Sequence, residues 1–135
     1  MNAENRRSNK HMYELKTITQ FSAAHQLRNY KGKCENLHGH NWKIEVYVKG
    51  ENLDKDGLLA DFKVIKDRTK EILEELDHKF LNDLECFSEL NPSSENIARY
   101  IYETLERGLN DSRIKMSRVT AWESDNACAT YWGKD

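Results

Sequence analysis

The chain has 135 residues and a formal net charge of −2, with acidic and basic residues interspersed along its length. That size suits one domain able to bury its own core, and the charge balance leaves no basic footprint for nucleic acid or an anionic membrane. Its three cysteines, Cys34, Cys86 and Cys128, are odd in number and too sparse for a secreted disulfide framework, so a reducing, cytoplasmic setting is expected.

Residues 1–11 are polar, with Arg6-Arg7 but no apolar run behind them. They are expected to form a flexible tail rather than a signal peptide or membrane span, with the folded domain over 12–135. From Tyr13 to Phe21, Tyr13, Leu15, Thr17, Thr19 and Phe21 alternate with Glu14, Lys16, Ile18 and Gln20. This predicts a half-buried strand ending before His25. A second strand is predicted where Trp42, Ile44, Val46 and Val48 alternate with Lys43, Glu45, Tyr47 and Lys49. Strand side chains repeat every two residues, so His38 and His40 share the inward parity of Trp42 if the extended conformation reaches back to them. Gly39 between them would let backbone or ligand approach closely.

After turn residues Asp54, Asp56 and Gly57, a helix is predicted to open near Asp61, with Phe62, Ile65, Thr69, Ile72 and Leu76 as its apolar stripe, and to run into Asp77-His78. A second helix is predicted from Asn91-Pro92, with Asn91 as cap, Ile97, Ala98, Ile101 and Leu105 as stripe, and Gly108 as its end. Two strands follow: Val119, Ala121 and Glu123 share one parity, and Ser124-Asp125-Asn126 makes a turn before Cys128 to Trp132. The order strand, strand, helix, helix, strand, strand predicts an α+β fold, an antiparallel sheet covered by helices on one face.

The chemistry gathers in Cys34-Glu35-Asn36-Leu37-His38-Gly39-His40 and in His25 just upstream. Three imidazoles within sixteen residues, two matched in strand parity, point to a metal site, with zinc first among the first-row ions that nitrogen ligands accept. Three protein ligands with an open position is the pattern of catalytic zinc. Cys34 has three readings: an inert core thiol, a fourth ligand that closes the site, or a free base beside the metal with a lowered pKa. Asp77-His78 reads either as an oriented acid and base pair or as a helix-terminal histidine facing the helix dipole. Glu123 is either an exposed turn residue or a carboxylate at the rim of the core, able to accept two parallel hydrogen bonds from an amidine-like heterocycle edge.

The ordered set Phe21-Ser22-Ala23-Ala24-His25, Cys34 to His40, Asp77-His78, Pro92-Ser93-Ser94-Glu95-Asn96 and Trp122-Glu123-Ser124-Asp125-Asn126 resembles the 6-pyruvoyl-tetrahydropterin synthase family over nearly everything after Met12. The resemblance implies a tunnelling fold: a four-stranded antiparallel sheet with two helices packed on one face, assembled as trimeric barrels that stack into hexamers. It implies Zn2+ held by His25, His38 and His40, Cys34 as base, and Asp77 and His78 as a proton-relay pair arriving from a neighbouring subunit. It also implies Glu123 as anchor of the pterin ring, with Ser93, Ser94 and Glu95 lining the pterin pocket. A cysteine followed by three residues and then His-Gly-His resembles the branch of the family that serves queuosine biosynthesis. That branch converts 7,8-dihydroneopterin triphosphate to 6-carboxy-tetrahydropterin, acetaldehyde and triphosphate. Glu35 beside Cys34 matters because some relatives use a glutamate in this loop and form another product. For the phosphates, Arg28, Lys31 and Lys33 are the nearby candidates. Two alternatives stand beside this lyase: a pyruvoyl-forming or side-chain-cleaving relative, and a non-catalytic zinc-stabilised binding module closed by Cys34.

Overall fold

Alternating burial carries β1 (Tyr13–His25) and β2 (His38–Gly50) in a computed structural model that describes residues 11–29, 36–109 and 111–134. The two strands pair antiparallel without a break from Tyr13↔Gly50 to His25↔His38. The first strand is thus longer than its apolar alternation suggested. Small residues continue it: Ala23 keeps the inward parity of Phe21, and His25 ends the strand on that parity, 1% exposed.

The helices are inserted between β2 and β3. Helix α1 (Phe62–Glu74) starts where the Asp61 carboxylate accepts from Lys63 N at 2.8 Å, satisfying one orphan amide of the first turn. Its buried face is Ile65, Thr69, Ile72 and Leu73, while Phe62, expected in the stripe, is exposed at the first helical position. Two short 3-10 turns, Leu81–Asp83 and Glu85–Phe87, lead to α2 (Ser94–Gly108). The cap of α2 is Ser93, whose hydroxyl accepts from Asn96 N at 3.2 Å, rather than Asn91. The Asn91 carboxamide is engaged elsewhere, on the backbone of Arg28.

Strands β3 (Lys115–Ser124) and β4 (Ala127–Tyr131) complete a four-stranded sheet in the order β1-β2-β3-β4, every neighbouring pair antiparallel. Helix α1 lies over β1, and α2 lies over β3 and β4. The core between the layers holds Trp42, Ile44, Val46 and Val48 from β2, Val119 and Ala121 from β3, and Ile65, Ile97, Ile101 and Leu105 from the helices. Each large apolar side chain buried there contributes about 1.5–3 kcal/mol of transfer free energy. One face of the sheet is therefore sealed by helices. The other carries polar pairs: Glu45 accepts from the Trp122 indole and lies 3.3 Å from Lys16 Nζ.

Candidate metal centre

Antiparallel pairing brings the last residues of β1, the first of β2 and the last of β3 to the same end of the sheet, and that end collects the donors. His25 and His38 are directly opposed in the β1–β2 ladder, and His40 follows His38 on the same face by strand parity. Glu123 enters from β3, beside a register shift between Trp122 and Ser124 in the pairing with β4, a local kink of the kind that re-aims side chains.

The four side chains converge. His25 Nε2 is 2.8 Å from His38 Nε2, and Glu123 Oε1 is 3.0 Å from His40 Nε2, 3.4 Å from His25 Nε2 and 4.0 Å from His38 Nε2. One donor atom from each residue falls within 4.8 Å of all the others. Trp42, fully buried, stands edge-on to His25 and His40 with ring centroids 5.1 and 5.3 Å away. It closes the core side of the cluster.

Backbone carbonyls decide which nitrogen two of the rings present. The His25 Nδ1–H donates to the Pro92 carbonyl at 2.7 Å, and the His38 Nδ1–H donates to the Asn36 carbonyl at 2.8 Å. A carbonyl can only accept, so Nδ1 carries the proton and Nε2 turns its lone pair into the cluster. Two lone pairs and a carboxylate oxygen at this range repel one another unless a cation lies among them. The donor set therefore fits a divalent metal, with second-shell carbonyls of the kind that orient ligating histidines.

Asp77 and His78 also touch, although adjacent residues need not. His78 Nδ1 is 2.9 Å from Asp77 Oδ2, while Asp77 Oδ1 accepts from Ser22 N at 2.8 Å. That backbone hydrogen bond, more than the nearby His78, holds the Asp77 carboxyl below its ordinary range. His78 adopts a positive φ of 58° and donates its own N–H to Ser22 O, and Lys79 O accepts from Ala24 N. The segment after α1 is thereby stitched to the edge of β1, with the His78 side chain 82% exposed.

A cleft of about 490 Å³ opens there, lined in part by Ser22, Ala24, Gly39, Asn41 and His78. Ser22, Ala24, Gly39 and Asn41 alternate with His25, His38 and His40 along the strands, and the lining also includes His40 itself, so the cleft reaches the histidine cluster. Gly39 is not forced by close backbone approach, since an added Cβ would meet Ala23 O at an ordinary 3.7 Å.

The remaining expected site residues are distributed as follows. Ser93 caps α2, Ser94 begins it half-buried and Glu95 is exposed on its first turn. All three follow Pro92, whose carbonyl meets His25. Cys34, Glu35, Lys31 and Lys33 lie outside the described residues, as do residues 1–10 of the expected tail. Arg28 is committed to the protein itself, its guanidinium donating to Asn82 O at 3.1 Å and to Leu90 O at 3.3 Å. The sequence reading kept Glu123 apart from the histidines. Its inward parity was the available signal, but nearness to His40 depends on the β2–β3 register. The carbonyls of Pro92 and Asn36 have no side-chain signature at all.

Comparison with known proteins adds four findings. The sequence profile of the family described as 6-pyruvoyl tetrahydropterin synthase matches residues 14–134. A putative 6-carboxy-5,6,7,8-tetrahydropterin synthase of Archaeoglobus fulgidus is 39% identical over 101 residues, 73% of this chain and 82% of the relative. A dihydroneopterin monophosphate aldolase of Pyrococcus furiosus is 36% identical over 105 residues, 78% of this chain and 84% of the relative. Among solved structures, the 6-pyruvoyl tetrahydropterin synthase of Caenorhabditis elegans superimposes with a TM-score of 0.82 at 30% identity, covering 93% of this chain and 98% of that one.

Proposed function

The chain belongs to the 6-pyruvoyl tetrahydropterin synthase family, and on that premise we propose that it is a zinc-dependent lyase of the 6-carboxy-tetrahydropterin synthase type. Its reaction converts 7,8-dihydroneopterin triphosphate and water to 6-carboxy-5,6,7,8-tetrahydropterin, acetaldehyde and triphosphate, a step toward queuosine and related 7-deazapurines. One observation carries the reading: His25, His38, His40 and Glu123 converge on one point, in a chain whose Cys34 precedes His38-Gly39-His40 at the carboxy-forming spacing. Relatives named 6-carboxy-5,6,7,8-tetrahydropterin synthase, at 29–40% identity, support the same branch.

His25, His38 and His40 would hold the metal, and Zn2+ bound there would supply Lewis-acid stabilisation of negative charge developing on the side-chain oxygens of the substrate. Glu123 orients the pterin by accepting from its ring N–H and amino group, and Ser93, Ser94 and Glu95 border the ring. The Cys34 thiolate takes the carbon-bound proton. His78, oriented by Asp77, returns protons, and triphosphate leaves by elimination. Water then adds to the side-chain carbonyl beside the ring, and retro-aldol type cleavage of the adjacent carbon–carbon bond releases acetaldehyde and leaves the carboxylate.

The exposed Asp77-His78 pair supports a site completed by assembly, with the pair of one subunit serving the metal centre of the next. The edge strands β1 and β4 offer unpaired backbone for such a trimer or hexamer. No helix among the described residues is long and apolar enough to cross a membrane, and the proposed setting is the cytoplasm.

The test is product identification after incubating the zinc-loaded protein with 7,8-dihydroneopterin triphosphate. Carboxylated pterin with stoichiometric acetaldehyde is expected. A 6-pyruvoyl product would select the second reading, favoured by the Caenorhabditis elegans structure. A hydroxymethyl-dihydropterin would instead select side-chain cleavage, and absence of turnover would overturn the lyase reading.

A further inference from the structure

The chain leaving β1 is held by two asparagines in the manner of a neighbouring strand. Asn82 Oδ1 accepts from Gln26 N at 2.9 Å while its Nδ2 donates to Gln26 O at 2.7 Å. Two residues on, Asn91 Oδ1 accepts from Arg28 N at 2.8 Å and its Nδ2 donates to Arg28 O at 3.0 Å. Each carboxamide thus bonds both the N–H and the C=O of one residue beyond the last ladder bond.

The two clamps differ in what else they hold. Asn82 lies in the 3-10 turn Leu81–Asp83. Asn91 immediately precedes buried Pro92, and it is the Pro92 carbonyl that accepts from His25 Nδ1 at 2.7 Å. The Asn91 carbonyl in turn accepts from Asn96 Nδ2 at 2.9 Å, tying the same residue to the start of α2. Asn91 therefore sits between three parts: the Arg28 peptide, the first turn of α2 and the carbonyl that orients the buried imidazole.

We propose that Asn91 is a positioning residue for the metal centre, its carboxamide fixing the Pro92 carbonyl against His25 Nδ1 so that His25 Nε2 faces His38, His40 and Glu123. This inference rests on the metal reading of the cluster. Pro92 has no N–H of its own, so the Asn91–Pro92 peptide plane is anchored through the Asn91 carbonyl, which accepts from Asn96. The pair of hydrogen bonds between the Asn91 carboxamide and the Arg28 backbone adds a restraint on the residue that precedes Pro92. Conserving imidazole orientation matters because partners outside the ligand shell commonly change metal affinity by about ten- to a hundredfold when removed.

The experiment measures Zn2+ affinity by competition with a chromophoric chelator and ligand-field absorption of the Co2+-substituted protein. The wild type is compared with Asn91→Ala, Asn91→Asp, Asn82→Ala and His25→Ala, each also melted without metal. Asn91→Ala is expected to bind Zn2+ about tenfold to a hundredfold more weakly and to shift the Co2+ bands. Asn82→Ala, which breaks the same kind of clamp but leaves the Asn91–Pro92 link, is expected to lower the metal-free melting temperature with a smaller loss of affinity. Asn91→Asp keeps the acceptor for Arg28 N but sets a carboxylate oxygen against Arg28 O in place of the donor, and is expected to bind Zn2+ more weakly with the same band shift. Unchanged affinity and Co2+ spectra in both Asn91→Asp and any folded Asn91→Ala, with His25→Ala losing metal, would overturn the positioning role alone. A wild type that binds no zinc would instead overturn the metal reading beneath it.

Discussion

Glu123 Oε1 reaches His40 Nε2 at 3.0 Å across the junction of β2 and β3, and so the carboxylate proposed to bind the substrate stands against the residues proposed to hold the metal. The two roles separate on replacement. As pterin anchor, Glu123 accepts two hydrogen bonds that exist only with substrate bound, and the three imidazoles keep the ion. Glu123→Gln is then expected to retain stoichiometric zinc while kcat/KM falls by about a hundredfold or more, the equivalent of losing charge-assisted hydrogen bonds worth about 1.5–3 kcal/mol each. Metal analysis beside steady-state kinetics checks it. A variant that loses its zinc would make Glu123 a ligand.

The His78 side chain is 82% exposed, and truncating it costs the isolated fold little. His78→Ala is expected to change the unfolding free energy by no more than about 0.5 kcal/mol while turnover drops by about 10²–10⁴, the range of a general acid or base. If the pair serves a neighbouring subunit, mixing His78→Ala with a zinc-binding variant such as His40→Ala restores part of the activity in mixed oligomers. Neither parent regains it alone. Titrating one variant into the other and assaying turnover measures this, and no restoration at any ratio would place the pair outside the shared site.

Asp77 gives a stability prediction with a definite sign. Its carboxyl is held below the ordinary range by the Ser22 N–H and by His78, so the folded protein binds the proton less readily than the unfolded chain does. The stabilisation is present above the unfolded pKa of about 4 and is lost as pH falls through the depressed folded value. The melting-temperature difference between wild type and Asp77→Asn is therefore expected to be constant from neutral pH down to about pH 5 and to shrink below about pH 4. Scanning calorimetry across that interval measures it. A difference that widens on acidification would contradict the assignment.

Periodicity made the scaffold legible because two-residue and three-to-four-residue patterns are written by burial itself. Trp42 to Val48 could only be one strand facing a core, and Ile97 to Leu105 only one helix face. Boundaries were harder where small or polar residues carried the structure. Ala23 and Ala24 extend β1 to His25 without an apolar signal, and Ser93 takes the cap of α2 because Asn91 is held by Arg28. At the site, the histidines were visible as a cluster in sequence, whereas the place of Glu123 beside them rests on strand register. The contact of Asp77 with His78 depends on a positive φ at a non-glycine residue, which no local preference announces.

Cys34 gives the clearest division between a catalytic and a structural centre. A zinc site closed by cysteine would need the thiolate as its fourth donor, whereas a catalytic site held by His25, His38 and His40 keeps its fourth position open. On the proposed reading Cys34 is therefore the base and not a ligand. Cys34→Ala is expected to keep full zinc occupancy and the wild-type melting temperature while turnover falls by about 10²–10⁴. Cys34→Ser, with a far less acidic hydroxyl, is expected to rescue little of it. Metal content, melting temperature and product formation measured on the same preparations decide the question. Joint loss of zinc and stability would make Cys34 a ligand, and unchanged turnover would move the proton transfer to another residue.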